Sequence, residues 1–339
     1  MARQPSANIE AGARVYCDVI LDCHVHTAAL LPGHGCISAR TRRGLTFHWM
    51  RHQLGIPYGV SDATIERALE RALATAVAGT PELDAVVLLA FDAVYTADGA
   101  IDEPATHMYV TNDYVMSLTA RHPRVLFGAS IHPYRRDAVA EVERCAGAGA
   151  VLCKWLPITQ RINPADPRCI PMYDALAHFG LPLLSHTGWE HVLPRLDPTV
   201  AAPSRLVLAL ERGVTVIAAH SGTGAVPGEG SYRDEFMRLA RDHERLYGDT
   251  AGMSLPNRWG DYDALLSDDV VRDKLVHGSD WPIPAYPRPW RNGWRNSRAL
   301  VAERNQLRRD VLIKRALGFD DAYWRRAGQE VLRVAKGGR

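Results

Sequence analysis

Eight short apolar runs, spread along the whole chain, constrain the fold more than any other feature of this sequence. They span residues 15–26, 84–92, 124–133, 149–157, 180–188, 213–222, 244–252 and 273–282. Most are nearly continuous in hydrophobicity rather than alternating, and they are rich in β-branched residues. Such runs are typical of strands buried on both faces, as in a parallel sheet covered by helices.

Helix-like segments separate these runs. They span residues 61–79, 113–123, 135–147, 169–180, 204–213 and 232–244. Several begin with Ser or Asp and end with Gly or Pro, as helices do. Strand and helix therefore alternate, which predicts a distorted (β/α)8 TIM barrel rather than an open sheet. No linker-like stretch divides the 339 residues, so we expect a single barrel domain over residues 1–339.

Two segments depart from a minimal barrel. Residues 28–60 form an insertion after the first predicted strand, and residues 283–298 form a long irregular loop after the eighth. Both follow the carboxyl ends of strands, where the loops of such barrels carry lids and specificity elements. We therefore expect both segments to cover an active site.

The composition excludes several classes of function. Hydrophobic residues make up 47% and charged residues 23%, as in ordinary globular proteins, and the net charge of +2 gives no general field for nucleic acid or anionic membrane. No apolar run approaches the ~20 residues that span a bilayer. Residues 1–10 are too polar for a signal peptide, so we expect a cytoplasmic protein that acts on a small molecule. A homo-oligomer is compatible with this sequence.

The cysteines form no C-x-x-C pair, so they indicate buried thiols rather than disulfides or a zinc knuckle. They are Cys17, Cys23, Cys36, Cys145, Cys153 and Cys169.

One segment favours a different class of function. Residues 287–298 interleave arginine with tryptophan, a composition that binds single-stranded nucleic acid by phosphate contacts and base stacking. The near-neutral net charge and the lack of a second basic stripe argue against it. A nucleic-acid-binding module is therefore a remote alternative.

Polar residues interrupt the apolar runs mostly at their carboxyl ends. These residues are His24, His26, Lys154, His186, His220 and Asp280. In a barrel, the carboxyl ends of all strands meet at the face that holds the active site. A His-x-His pair alone would be a weak signal in a chain with 14 histidines, but the convergence of several strand ends strengthens it.

The spacing of His24 and His26 suits a metal site. Residues i and i+2 of a strand point to the same side, about 6–7 Å apart along the backbone. Two such imidazoles, a third histidine from across the barrel and a carboxylate suit zinc or a similar divalent metal, with one position left for water. Water on such a metal has a pKa near ~7, so hydroxide becomes available at neutral pH.

Four motifs carry a family resemblance: "CHVH", "LLSHTG", "IAAHSG" and "HGSDWP" at the ends of runs one, five, six and eight. As an ordered set they resemble the metal-site motifs of the amidohydrolase superfamily. More closely, they resemble its amidohydrolase-related (amidohydrolase 2) branch, which contains hydrolases, lactonases, hydratases and zinc-dependent decarboxylases.

The resemblance implies a role for each of these residues. His24, His26, His186 and Asp280 would hold the catalytic metal, Zn²⁺ or another divalent ion such as Mn²⁺, and Asp280 would also shuttle a proton. His220 would either bind a second metal or hydrogen-bond the attacking water and the substrate. Lys154 matches the position of a carbamylated lysine that bridges two metals. Alternatively, Lys154 stays an ammonium that pairs with a carboxylate or a substrate anion, so one or two metals per chain are open.

Other residues near the strand ends are candidates for substrate contacts. His132, Trp155 and Trp189 fit this role, but loop hydrogen bonds explain His132 equally well and ordinary packing explains the tryptophans. His34, His48 and His52, in the insertion, indicate surface or packing positions rather than ligands. The glycine-rich residues 221–230 indicate a flexible active-site loop, because their spacing is not that of a phosphate-binding loop.

Together these features predict a metal-dependent hydrolase that uses metal-bound hydroxide on an amide, lactone or ester-like bond of a small organic substrate. The alternative is a zinc-dependent non-oxidative decarboxylase of an aromatic or unsaturated acid. In that reaction Arg135, Arg161 or Arg288 would hold a substrate carboxylate. The sequence does not identify the substrate, because barrel loops set specificity.

Overall fold

The computed structural model describes residues 19–224 and 230–332, which contain ten strands. In chain order these are β1 (Leu21–His26), β2 (Gly35–Ile37), β3 (Ala85–Leu89), β4 (Met108–Val110), β5 (Val125–Ala129), β6 (Leu152–Trp155), β7 (Leu183–His186), β8 (Val216–Ala219), β9 (Leu246–Asp249) and β10 (Leu275–Val276). Eight of them form one parallel sheet in the order β1-β3-β5-β6-β7-β8-β9-β10. Each of the eight predicted runs contains one strand of this sheet.

Backbone hydrogen bonds join the two edges of the sheet. The Cys23 amide donates to the His277 carbonyl (3.0 Å), and the His26 amide donates to the Trp281 carbonyl (2.8 Å). The first strand is thereby linked to the chain that follows the last strand. The predicted (β/α)8 barrel is confirmed.

Helices cover the outside of the barrel and several of its loops. They are α1 (Ala39–Arg42), α2 (Leu45–Gln53), α3 (Asp62–Ala78), α4 (Asn112–Arg121), α5 (Ala138–Gly147), α6 (Pro157–Gln160), α7 (Ile170–Phe179), α8 (Val207–Glu211), α9 (Arg233–Asp242), α10 (Trp259–Leu266), α11 (Asp269–Arg272), α12 (Pro289–Asn292), α13 (Trp294–Ala302), α14 (Gln306–Ala316) and α15 (Asp321–Arg326). Each of the six predicted helical segments overlaps one of them, and α4 begins one residue before its predicted segment. Capping follows the expected chemistry: the Ser61 side chain accepts from the Thr64 amide at the start of α3, and Gly180 ends α7 at φ 63°.

The two unusual segments have local structure of their own. Residues 28–60 contain β2, α1 and α2, and β2 pairs antiparallel with β4. Residues 283–298, expected to be irregular, contain α12 and the start of α13. The sequence did not reveal these elements because they are short and β2 pairs with a distant part of the chain.

Side chains divide the core into an inner and an outer layer. Inside the barrel, Leu152 packs with Leu184 and Ile217, whereas its neighbour Cys153 packs in the layer between strands and helices. This alternation is the ordinary property of a strand. It places Lys154 on the same face as Leu152.

All five described cysteines are free, and four of them are buried. Cys36 is exposed, which corrects the expectation that every cysteine is buried; Cys17 lies outside the described residues. Among the described helices, none has both the length and the apolar character needed to cross a membrane.

Candidate metal centre

A bulge in β1 brings the two histidines of the "CHVH" motif into the barrel mouth. The pairing register with β3 shifts between Asp22 and Val25. Asp22 stabilises this irregular backbone, because its Oδ1 accepts hydrogen bonds from the amides of His24 and Ser279, each at 3.0 Å. The Nε2 atoms of His24 and His26 lie 3.0 Å apart. Both imidazoles therefore face one point.

Asp249 fixes the orientation of His24. It stands at the end of β9, and its Oδ2 lies 2.7 Å from His24 Nδ1. Its Oδ1 accepts from the amides of His220 (2.7 Å) and Ala251 (3.1 Å). With Nδ1 engaged by the carboxylate, His24 presents Nε2 as its free ligand atom.

Asp280 reaches the same point from the turn after β10. Its Oδ1 lies 3.1 Å from His26 Nε2 and 3.6 Å from His24 Nε2. Burial alone would raise the pKa of Asp280, but the hydrogen bond from His26 and the charges around it lower that pKa below its usual value. Asp280 is therefore an ionised carboxylate next to two imidazoles.

His220 approaches from the end of β8. Its Nδ1 lies 2.9 Å from the Ala251 carbonyl, which leaves Nε2 free. His24, His220 and Asp280 each offer one ligand atom, and these atoms lie within 4.8 Å of one another. Such a cluster of buried nitrogen and oxygen donors is typical of a metal site.

Backbone strain is concentrated at this centre. The described chain has four non-glycine residues with positive φ; two of them, His220 and Asp280, belong to the centre, and a third, Ser221, follows His220 in the chain. Non-glycine residues rarely adopt this conformation, and they do so mostly at functional sites.

His186, at the end of β7, completes the ring of imidazoles. Its ring centroid lies 4.8 Å from that of His220, and its buried Nε2 has no hydrogen-bond partner. Its Nδ1 lies 3.9 Å from Glu190 Oε2. A buried, unpartnered imidazole nitrogen is costly unless it binds something, so His186 fits a metal ligand.

Lys154 is buried inside the ring of histidines. Its Nζ lies 3.0 Å from His24 Nε2. Burial lowers the pKa of Lys154 to about 8, although the charges of Asp249 and Asp280 oppose this shift. Lys154 therefore loses its proton more easily than an ordinary lysine, although the ammonium form still predominates at pH 7.

Three histidines of the centre, His24, His186 and His220, are neutral. Burial lowers the pKa of each well below the usual value. The charge of Lys154 lowers the pKa of His24 and His186 further. The charge of Arg258 does the same for His220. Neutral imidazole is the form that binds metal. Four imidazoles, one ionised carboxylate and an unpartnered Nε2 thus fit a divalent metal such as zinc or manganese.

A cavity lies next to this centre. The three residues expected to contact substrate do not line it. His132 Nε2 lies 2.8 Å from the Gln160 carbonyl. Trp155 is fully buried in the outer layer, where its Nε1 donates to the Ile131 carbonyl. Trp189 packs near the Tyr232 ring at 6.1 Å. None of the three is among the described residues that line the cavity, because strand alternation turns Trp155 away from Lys154 and loop contacts hold the other two.

The candidate arginines also lie elsewhere. Arg135 pairs with Asp92 (3.1 Å), Arg161 with Asp102 (3.2 Å) and Arg288 with Asp263 (3.0 Å). None of them is among the described cavity-lining residues. Each is held by a carboxylate, so none is placed to hold a substrate anion.

Sequence reasoning missed three buried charged residues near the centre. They are Asp249, Glu190 and Arg258. Asp249 is a polar residue near the carboxyl end of a predicted strand, so it could have been predicted in the same way as His186 or His220. Glu190 and Arg258 lie in irregular segments and carry no such signal. The Arg258 side chain donates to Thr223 Oγ1 (2.9 Å).

The histidines of the insertion lie outside the cluster. His34 Nδ1 contacts Glu66 Oε2 at 2.7 Å, and the His48 ring lies 5.6 Å from that of Tyr58. His52 is exposed. Of the predicted loop at 221–230, residues 225–229 lie outside the described residues.

Comparison with known proteins places this geometry in a family. A family model described as amidohydrolase matches residues 21–316. The chain belongs to the amidohydrolase family. This family includes hydrolases and decarboxylases and is typically metal-dependent.

Two solved structures of low sequence identity share the fold, and a third is less similar. An uncharacterised TIM-barrel protein from Bordetella bronchiseptica is 19% identical, with a TM-score of 0.55 over 88% of this chain and 99% of that one. A probable 2-pyrone-4,6-dicarboxylic acid hydrolase from Acinetobacter baumannii, solved with citric acid bound, is 13% identical, with a TM-score of 0.54 over 93% and 99%. A 2,6-dihydroxybenzoate decarboxylase from Rhizobium is 15% identical, with a TM-score of 0.45 over 88% and 98%. No curated protein matches the chain in sequence.

Proposed function

We propose that this member of the amidohydrolase family is a metal-dependent hydrolase of an amide, lactone or ester-like bond in a small organic substrate. One observation carries the proposal: neutral imidazoles and one ionised carboxylate converge at the carboxyl ends of the barrel strands. His24, His220 and Asp280 form the compact group, and His26 contacts two of its members. Active sites of such barrels lie at this face.

His24, His26, His186, His220 and Asp280 would hold the metal, one ion or two. When bound, a divalent metal supplies a Lewis acid that polarises a carbonyl and lowers the pKa of water. Asp249 would keep His24 in the tautomer with Nε2 free, through its 2.7 Å contact with Nδ1.

Asp280 would move the proton in the reaction. Its low pKa keeps it ionised, so it can accept a proton from the attacking water. The carboxylic acid formed in this way can then donate that proton to the leaving group. Lys154, buried beside His24, would orient the substrate carbonyl or, if carbamylated, join the ligand set.

Non-oxidative decarboxylation is the second candidate. It is favoured by Lys154, a buried cationic side chain among the described residues that line the cavity. A carboxylate that leaves as carbon dioxide needs such a group to hold it. The arginines expected for this role from the sequence lie outside the described cavity wall, so we rank hydrolysis first.

The test is to incubate metal-loaded protein with panels of lactones, acyl amides and aromatic acids and to read each product by mass. Gain of water supports the hydrolase, and loss of carbon dioxide supports the decarboxylase. Asp280→Asn should abolish either change. Asp234→Asn, at a carboxylate with a side chain 82% exposed on α9, is the matched control and should leave the rates unchanged.

A further inference from the structure

A cavity of about 170 Å³ extends from the metal centre towards the insertion. At one end lie the histidines, Lys154, Glu190 and Asp280. The wall at the other end is built by residues 28–60 and by α3, and it includes Leu30, Phe47, Met50, Leu54, Ile56 and Leu69.

This wall is an apolar cluster separate from the barrel core. Leu30 and Ile56 are buried within it, and Phe47, Leu54 and Leu69 pack against them while remaining partly exposed. When an apolar group fills an open space lined by half-buried apolar side chains, apolar surface is removed from water, which is favourable. The cluster therefore matches a hydrophobic ligand group.

A buried carboxylate holds the wall in place. Glu66 on α3 is 4% exposed, and its Oε1 accepts hydrogen bonds from the amides of Leu30 and Leu31. Its Oε2 contacts His34 Nδ1 at 2.7 Å. These bonds connect the start of the insertion to α3. The space enclosed by this apolar wall, called the chamber below, is therefore formed before a ligand arrives.

The chamber has few side chains that could bind a second charged group of the substrate. Among the described lining residues beyond the metal centre and Glu190, Arg51 is the one charged side chain. Its guanidinium donates to the Pro57 carbonyl and lies 4.8 Å over the Tyr58 ring. The buried Nε of Arg51 has no hydrogen-bond partner among the described residues, so a carboxylate could pair with it at that one position. A carboxylate buried against the rest of the apolar wall would lose its hydration without gaining a partner, which is unfavourable.

We infer that the substrate carries an uncharged alkyl or aryl group, which fills this chamber while the reacting carbonyl lies at the metal centre. The preferred substrates are thus hydrophobic lactones, esters or amides rather than dicarboxylates. This inference rests on the proposed function for the reaction, but the chamber itself can be tested without turnover.

The first experiment uses γ-lactones whose alkyl side chain lengthens one carbon at a time. Each buried CH₂ contributes about 0.8 kcal/mol, so kcat/KM should rise about fourfold per carbon until the chamber is full. Analogues that end in a carboxylate should lose this gain. Turnover that does not depend on chain length would overturn the inference and leave the hydrolase intact.

The second experiment moves a charge into the chamber. Met50→Arg places a cation in the wall and should shift preference from the alkyl lactones towards the carboxylate-ended ones. Leu45→Arg is the matched control, because Leu45 lies on the same helix, is 88% exposed and is not among the lining residues. An equal shift in both variants would overturn the inference.

A third measurement separates the chamber from the chemistry. Binding of the apolar dye N-phenyl-1-naphthylamine, read by fluorescence, needs neither metal nor turnover. Tight binding that is weakened in Met50→Arg but not in Leu45→Arg supports the chamber even if no lactone is hydrolysed. Absence of dye binding to wild-type protein, with lactones hydrolysed, overturns the chamber alone.

Discussion

The Oδ2 atom of Asp249 lies 2.7 Å from the Nδ1 atom of His24, and both side chains are fully buried. The other oxygen of the same carboxylate accepts two backbone amides, from His220 and Ala251. One side chain thus holds the ligand tautomer of His24 and the strained backbone at His220. Such outer partners are part of a metal site even though they do not touch the metal.

Asp249→Asn should weaken metal binding by about 10–100-fold, the usual cost of losing an outer hydrogen-bond partner. An asparagine has one amide oxygen for three donors, so its NH₂ group must face either a backbone amide or His24. If the NH₂ group faces His24, it donates to Nδ1, and the ring proton of His24 must then lie on Nε2. Nε2 has no lone pair left to bind the metal. Metal affinity is measured by competition with a chelator, with Asp234→Asn as control. Unchanged metal affinity in Asp249→Asn would show that Asp249 does not support metal binding.

His24→Ala and His26→Ala should each abolish tightly held metal and turnover. They should differ in stability. His24→Ala leaves the Asp249 carboxylate buried without its partner, which costs about 1–3 kcal/mol, whereas the His26 side chain is 27% exposed and its loss should cost less. Metal content after dialysis against chelator and Tm without metal test both statements. The control is His52→Ala, at an exposed position; full metal retention in either site variant would show that the ligands are wrongly assigned.

Asp280→Asn should lower kcat by at least about 10²-fold, in the range usual for a general acid–base group. The variant should fold, since asparagine tolerates the left-handed backbone that Asp280 adopts at φ 66°. Metal should still bind through the imidazoles. Steady-state rates together with metal content separate the two roles. Near-normal rates would reduce Asp280 to a structural residue.

The barrel could be predicted because parallel strands buried on both faces leave a strong mark on the sequence. Each of the eight runs contains a strand of the barrel, and each of the six helical segments overlaps a helix. The alternation along β6 also placed Lys154 inside and turned Trp155 outward, although Trp155 was still expected at the substrate. The pair of β2 and β4 was missed, because its three-residue strands meet only through long-range contacts such as Cys36 with Tyr109.

The strand ends predicted which residues would lie together, since one cavity is lined by His24, His26, His186, His220 and Asp280. Their role as metal ligands stays a prediction. What escaped prediction depends on irregular backbone. The bulge in β1 and the positive φ values of His220 and Asp280 have no signature in residue type, since neither residue is glycine. The chamber wall likewise depends on how Glu66 ties the insertion to α3.

Lys154 determines how many metals the centre holds. We expect one metal per chain, because the described residues bring together a single compact group of ligand atoms, with Asp280 as its one carboxylate. An ammonium beside a divalent cation is unfavourable. Burial lowers the pKa of Lys154 to about 8, so it loses its proton more easily than an ordinary lysine when a metal binds. Lys154→Met should therefore keep its metal while losing turnover. Metal content is measured by atomic emission on protein prepared with excess metal, with and without bicarbonate. Two metals per chain only with bicarbonate, loss of one in Lys154→Met and electron density beyond Nζ would instead establish a carbamylated bridge.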